Sequence, residues 1–263
     1  MFLPYGGDAT DGRANVLLED RNAVIYGGGG TIGGAVARAF AREGATVHLA
    51  GRTLPALERV ADGIRRAGGK AETAQLDAFD EEAVGEHAER VVAGGGSLDV
   101  SLNAISHPNH LGTPVLEMEY AEFEEPVTRR LRTMWVTSRA AARHMTAQGS
   151  GVILAFGGYG DPVPNYGGFQ ASFGAIEALR RTLSIELGPK GVRVVTLQTG
   201  GIPEGIPDEK TRGAIEKSIA NRTMLGRAAT LEDVGNAAVF AASDWGRALT
   251  ATKLNITCGT VPD

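Results

Sequence analysis

Glycine recurs in Gly28-Gly-Gly30-Thr-Ile-Gly33 at the spacing Gly-x-Gly-x-x-Gly, directly after the short apolar run Ala23-Val-Ile-Tyr26. A bare backbone lets a phosphate come close, and a helix starting there offers free N–H groups and the positive end of its dipole. A chain with 37 glycines matches such a pattern by accident, so the strand–turn–helix setting carries the meaning. The plainer alternative is a tight turn that binds nothing. Further on, Gly51-Arg52-Thr53 follows a second apolar run, near the distance at which a carboxylate would hold a free ribose 2′-hydroxyl. No carboxylate is there. The planar fork of Arg52 could instead pair with a 2′-phosphate, or it could be a solvated arginine at a loop edge.

Residues able to move a proton are sparse. Phe169 and Phe173 stand four apart and share one helix face, which makes that face apolar. Tyr159 and Tyr166 lie in the Gly/Pro-rich stretch before them, but no lysine at helical spacing would lower a phenol pKa that is ordinarily about 10. His107 could act as an acid or base near neutrality. Packing is the alternative role for each tyrosine, solvation for the histidine. The pair His107 and His110 lacks a third ligand nearby, so no metal site is expected. The single cysteine, Cys258, has no activating base in sight and reads as a small packed side chain.

The elements that must position these residues alternate regularly. Strands are expected at Ala23–Tyr26, Thr46–Ala50, Ala71–Leu76, Leu98–Leu102, Gly151–Phe156, Val192–Leu197 and Lys253–Ile256. Helices are expected at Ile32–Glu43, Leu54–Ala67, Glu81–Val92, Glu122–Ala147, Gly168–Leu187 and Leu231–Ala242, several stopped by glycine. Pro203–Met224 reads as a charged excursion suited to a lid. The alternation implies an α/β fold: a doubly wound parallel sheet of Rossmann type in three layers. A flexible arm over 1–15 and a single domain over 16–263 complete the organisation.

Several of these segments, in order, resemble the short-chain dehydrogenase/reductase family across roughly 20 to 260. The segment Gly27-x-x-x-Thr31-Ile32-Gly33 resembles its Thr-Gly-x-x-x-Gly-x-Gly, with Tyr26 in place of Thr and Thr31 in place of the middle glycine. Asp77-Ala78 follows the third strand, where the family places an aspartate near adenine. Leu102-Asn103-Ala104-Ile105 resembles its Asn-Asn-Ala-Gly, and Thr199-Gly200-Gly201-Ile202 its Pro-Gly-x-Ile. Glu204 stands where a cofactor-contacting threonine is common. Leu225-Gly226-Arg227 and the Glu232-Asp233-Val234 helix extend the likeness. The resemblance implies cofactor contacts from Gly27, Gly28, Gly30, Thr31, Ile32, Gly33, Arg52, Asp77, Ala78, Asn103, Ala104, Thr199 and Ile202, with NADP(H) preferred over NAD(H). It also implies a homo-oligomer, tetramer or dimer, assembled through the two long helices.

The same resemblance marks what is different. The family's Asn, Ser, Tyr and Lys, which carry proton transfer, fall on Arg130, Gly157, Phe169 and Phe173. A positioned general acid contributes about 10²–10⁴ in rate and an oxyanion donor about 10²–10³, so hydride chemistry at a carbonyl is expected to be impaired. Three readings stand: an NADP(H)-binding oxidoreductase with a substitute acid, a non-redox cyclase, isomerase or lyase in the same pocket, and a non-catalytic ligand-binding subunit. A small-molecule ligand suits all three. The net charge of −5 over 263 residues argues against nucleic acid or an anionic membrane as partner. With no apolar run of spanning length and no secretory start, the expected location is cytoplasmic.

Overall fold

The computed structural model describes residues 16–157 and 163–261. Seven strands form one parallel sheet in the order β3-β2-β1-β4-β5-β6-β7. They are β1 (Asn22–Tyr26), β2 (Thr46–Gly51), β3 (Lys70–Gln75), β4 (Val100–Asn103), β5 (Gly151–Gly157), β6 (Val192–Thr199) and β7 (Thr252–Ile256). Parallel neighbours need crossovers, and the helices supply them. These are α1 (Thr31–Arg42), α2 (Leu54–Arg66), α3 (Glu81–Gly95), α4 (Tyr120–Gln148), α5 (Gly167–Leu187), α6 (Glu209–Ala220) and α7 (Leu231–Ala242).

Alternation along each strand divides the core in two. Ala23, Ile25, Val195 and Leu197 pack with α1, α2 and α7, while Val24, Tyr26 and Val194 pack with α3, α4 and α5. By the same alternation Thr196 and Gln198 face α5, and the Thr196 hydroxyl donates to Glu177 of that helix at 2.6 Å. The sheet order reverses at β1, which lies between β2 and β4. A crevice therefore opens beyond the carboxyl ends of those strands, where doubly wound sheets bind ligands.

The stretch 203–224, expected as an excursion, contains regular structure. A short 3-10 turn spans Pro203–Gly205, and α6 follows, its first turn capped by the Asp208 carboxylate accepting from Thr211 N–H at 2.7 Å. Only Ile219 of α6 is buried, so this helix is weakly anchored. Helix α4 starts two residues before the expected Glu122 and accommodates Pro126 in its second turn. The expected arm over 1–15 lies outside the described residues.

His48 of β2 and His87 of α3 are both buried on the α3 side of the sheet. Burial first, then His48 and Arg90, holds the His87 pKa at about 4. In the unfolded chain it would titrate near 6.5. The folded state therefore loses stability as pH falls from about 6.5 towards about 4, by roughly 1–3 kcal/mol, and keeps it above that range. Urea midpoints measured between pH 7.5 and 4 should show this slope, and His87→Leu should flatten it.

Candidate nucleotide site

Glycine at two positions of the β1–α1 turn is required by space. A Cβ on Gly33 would be driven into the carbonyl oxygen of Gly27. Gly27 itself has φ +80°, and a Cβ there would come within 2.7 Å of the Ala104 carbonyl oxygen. This packing seats the start of α1 against the ends of β1 and β4. Helix α1 has no side-chain cap at Gly30, so its first N–H groups remain available to an anion.

A cavity of about 620 Å³ opens there, over the carboxyl ends of β1 to β4. Among the expected cofactor residues, Gly27, Gly30, Thr31, Ile32, Arg52, Asp77, Ala78 and Ala104 line it. Gly28 and Gly33 lie behind the lining as packing glycines, and Asn103, Thr199 and Ile202 do not line it. Arg52 is exposed, and its guanidinium makes no ion pair among the described residues. The Asp77 carboxylate accepts from Phe79 N–H at 3.0 Å.

Sequence reading missed the far wall. Phe79, directly after Asp77-Ala78, carries Arg129 over its ring at 4.7 Å and Arg132 at 5.7 Å. Phe79 and Arg129 both line the cavity. The signals were a phenylalanine one residue past a motif and the adjacent pair Arg129-Arg130, but their contact joins β3 to α4 and no local pattern encodes it.

His107 lines the same cavity, is 5% exposed, and its Nε2 lies 3.1 Å from Thr133 Oγ1. Burial, then Arg130, Arg129 and Arg52, depresses its pKa to about 4. It is therefore a neutral imidazole at pH 7, better suited to hydrogen bonding than to giving up a proton. His110 turns away to Glu125 at 2.9 Å. Among the described residues no three His, Cys, Asp or Glu side chains stand together as a metal site would need.

The positions to which the resemblance assigns proton transfer lie deeper. Phe169 and Phe173 meet edge to face at 4.8 Å between centroids, and Tyr166 packs on Phe169 at 5.8 Å. Arg130 reaches from α4 across both rings, at 4.7 Å from Phe173 and 5.6 Å from Phe169, and its Nε donates to Ser172 Oγ at 3.0 Å. Burial lowers the Arg130 pKa to about 10, and no carboxylate pairs with it among the described residues. Gly157 is also spatially required: a Cβ there would meet Thr196 Cγ2 at 2.6 Å. Tyr159 lies outside the described residues. Gln198, opposite Gly157 on β6, is 1% exposed, and its side-chain amide has no hydrogen-bond partner among the described residues. Glu204 is used elsewhere, accepting from Leu231 N–H at 2.7 Å at the start of α7.

Known proteins place this arrangement. A family model described as enoyl-(acyl carrier protein) reductase matches residues 29–260. The cis-4-hydroxycyclohexanecarboxylate dehydrogenase of Sinomonas cyclohexanicum is 31% identical over 235 residues, 86% of this chain and 90% of that protein. A crystal structure of a dehydrogenase/reductase from Sinorhizobium meliloti 1021 has a TM-score of 0.82 at 27% identity, covering 94% of this chain and 98% of that one. Another, assigned as an NAD(P)-dependent gluconate 5-dehydrogenase from Beutenbergia cavernae with bound NADP at low occupancy, has a TM-score of 0.80 at 31% identity, covering 94% and 99%. The chain belongs to the short-chain dehydrogenase/reductase family of oxidoreductases.

The glycine packing gives a direct stability test. Gly33→Ala should destabilise the fold by about 2–4 kcal/mol, because the clashing atom is backbone and cannot rotate away. Gly63→Ala, in α2 with nothing within 4 Å of the new methyl, should stabilise by about 0.5–1 kcal/mol. Urea unfolding of the two variants checks both signs.

Proposed function

We propose that this chain is an NADP(H)-binding member of the family whose hydride-transfer chemistry is impaired because Gly157, Phe169 and Phe173 stand where proton transfer would be organised. The observation that carries the nucleotide half of this reading is Arg52: a guanidinium at the end of β2 with no ion pair among the described residues, on the same cavity as the glycine turn, with no carboxylate in that place. An acidic side chain would repel a 2′-phosphate and accept from a free hydroxyl; a guanidinium does the reverse. A relative with bound NADP shows that this fold can take the phosphorylated cofactor.

The residues fit the adenine and pyrophosphate part of such a cofactor. When bound, a nicotinamide cofactor supplies or accepts the hydride. This chain's own residues would hold the phosphates at the α1 N-terminus and the 2′-phosphate at Arg52. They offer little for the proton. His107 is neutral and hydrogen-bonded to Thr133, and Tyr166 meets Phe169 edge to face.

A second reading, a non-catalytic nucleotide-binding protein, is favoured by the way the Gly157 region is filled. Thr196 occupies the space a side chain at 157 would need, and its hydroxyl is bonded to Glu177, which also pairs with the buried Arg180 at 2.8 Å. The region is repacked around a different network, so restoring one lost residue would not restore the arrangement. The turn at Pro203–Gly205 lies against Thr31 and would, with α6, serve as the lid. Exposed Trp135 on α4 and Ile185 on α5 support assembly through those helices, and a cytoplasmic setting suits the lone cysteine.

Titration of the purified protein tests the reading. NADPH should bind well ahead of NADH. Arg52→Ala should weaken NADPH by about 10- to 100-fold, the loss of one charge-assisted contact, and leave NADH within about twofold. Equal effects on the two nucleotides would refute the assignment of Arg52.

A further inference from the structure

Three planar side chains meet on one wall of the nucleotide cavity: Phe79 past β3, His107 past β4 and Arg129 on α4. The Phe79 ring stands edge to face with His107 at 6.3 Å between centroids, and it carries the Arg129 guanidinium at 4.7 Å. The glycine turn and Arg52 line the same cavity from the ends of β1 and β2. Because the sheet order runs β3-β2-β1, Phe79 lies further out along the crevice than Arg52.

Each of the three planar groups is fixed by the chain itself. The Phe79 N–H is held by the Asp77 carboxylate at 3.0 Å, and the Phe79 carbonyl accepts from Arg132 Nη2 at 3.3 Å. His107 is 5% exposed and shares a hydrogen bond with Thr133. Arg129 is held differently. Its Nε stands 3.9 Å from Glu125 Oε1, beyond hydrogen-bond reach, and the other oxygen of Glu125 lies 2.9 Å from His110. That Nε is buried and has no hydrogen-bond partner among the described residues. The support of the guanidinium is the phenyl ring, whose quadrupole holds a cation placed over it.

A nucleotide whose phosphates lie at the α1 N-terminus and on Arg52 has its base beyond them, towards Phe79 and Arg129. A purine is neutral and flat. A compact point charge gains little from it, whereas a planar guanidinium gains by lying on its face. An arginine in a tight ion pair would have to leave its carboxylate to do so. Arg129 has no such carboxylate to leave among the described residues.

We propose that Arg129 is a specificity-determining residue of this site: its guanidinium, supported by Phe79, stacks on the purine base of the nucleotide, and it contributes through its plane and not through its charge. The proposal rests on the nucleotide reading of the same cavity and adds the recognition of the base to it.

Calorimetric titration of the full chain with NADPH tests it in Arg129→Lys and Arg129→Leu. Both variants should weaken NADPH by about 5- to 50-fold, and to within about twofold of each other, because lysine keeps the charge and loses the plane. The salt dependence of the affinity should stay that of the unsubstituted chain, since no phosphate contact is lost. Isotope-filtered NMR of NADPH on the labelled, unsubstituted chain should show the adenine protons in contact with the Arg129 side chain. A purely structural role for Arg129 would not produce that contact, and the spectrum depends on no variant folding. Full affinity in Arg129→Lys, a weaker salt dependence in Arg129→Leu, or adenine protons without contact to Arg129 would overturn the proposal while leaving the nucleotide site intact. Failure of the unsubstituted chain to bind NADPH would overturn both.

Discussion

The contact between Gly33 and the Gly27 carbonyl brings a helix start and a strand end closer than any side chain permits. That approach orients the first N–H groups of α1 towards the crevice, and it fixes the turn whose other side rests on Ala104. The crevice between β1 and β4 exists because the sheet order reverses there. The glycine contact determines that the crevice is lined by backbone donors. Arg52, Asp77 and Ala104 reach the same cavity because β2 and β4 flank β1 and β3 lies beyond β2, all ending on the same side of the sheet.

Charge has a different arrangement at the two depths of the crevice. Near the surface Arg52 is solvated and ready for an anion at small cost. Deeper, Arg130 is partly desolvated, and among the described residues quadrupole attraction to two phenyl rings and a bond to one hydroxyl offset this. Phe169 and Phe173 therefore have a packing role of their own. They build the apolar surface on which a cation from the neighbouring helix rests. Gly157 lies close to Thr196, whose Cγ2 stands where a Cβ at 157 would be.

The fold was legible in the sequence because a buried parallel sheet leaves near-continuous apolar runs, and glycines mark where chain direction changes. All seven strands and the six named helices lie within a few residues of their expected spans. Helix α6 was read only as part of a lid, since it buries little and shows no apolar face. The turn at Gly27–Gly33 and the role of Arg52 as a lining residue were legible too, being local to one strand–turn–helix unit. The contacts of Arg129 with Phe79 and of Thr196 with Gly157 were not. Each joins elements brought together only by the sheet, and one-dimensional spacing does not report such pairs. Thr199 and Ile202 belong to a motif that was readable, yet they do not line the cavity.

The central claim is that the glycine turn and Arg52 hold a nucleotide in this crevice. Hydrogen–deuterium exchange of the full chain at saturating NADPH tests it directly. The account predicts slowed exchange in 27–33, in 51–53 and around Phe79. Unchanged exchange in all three segments would contradict it.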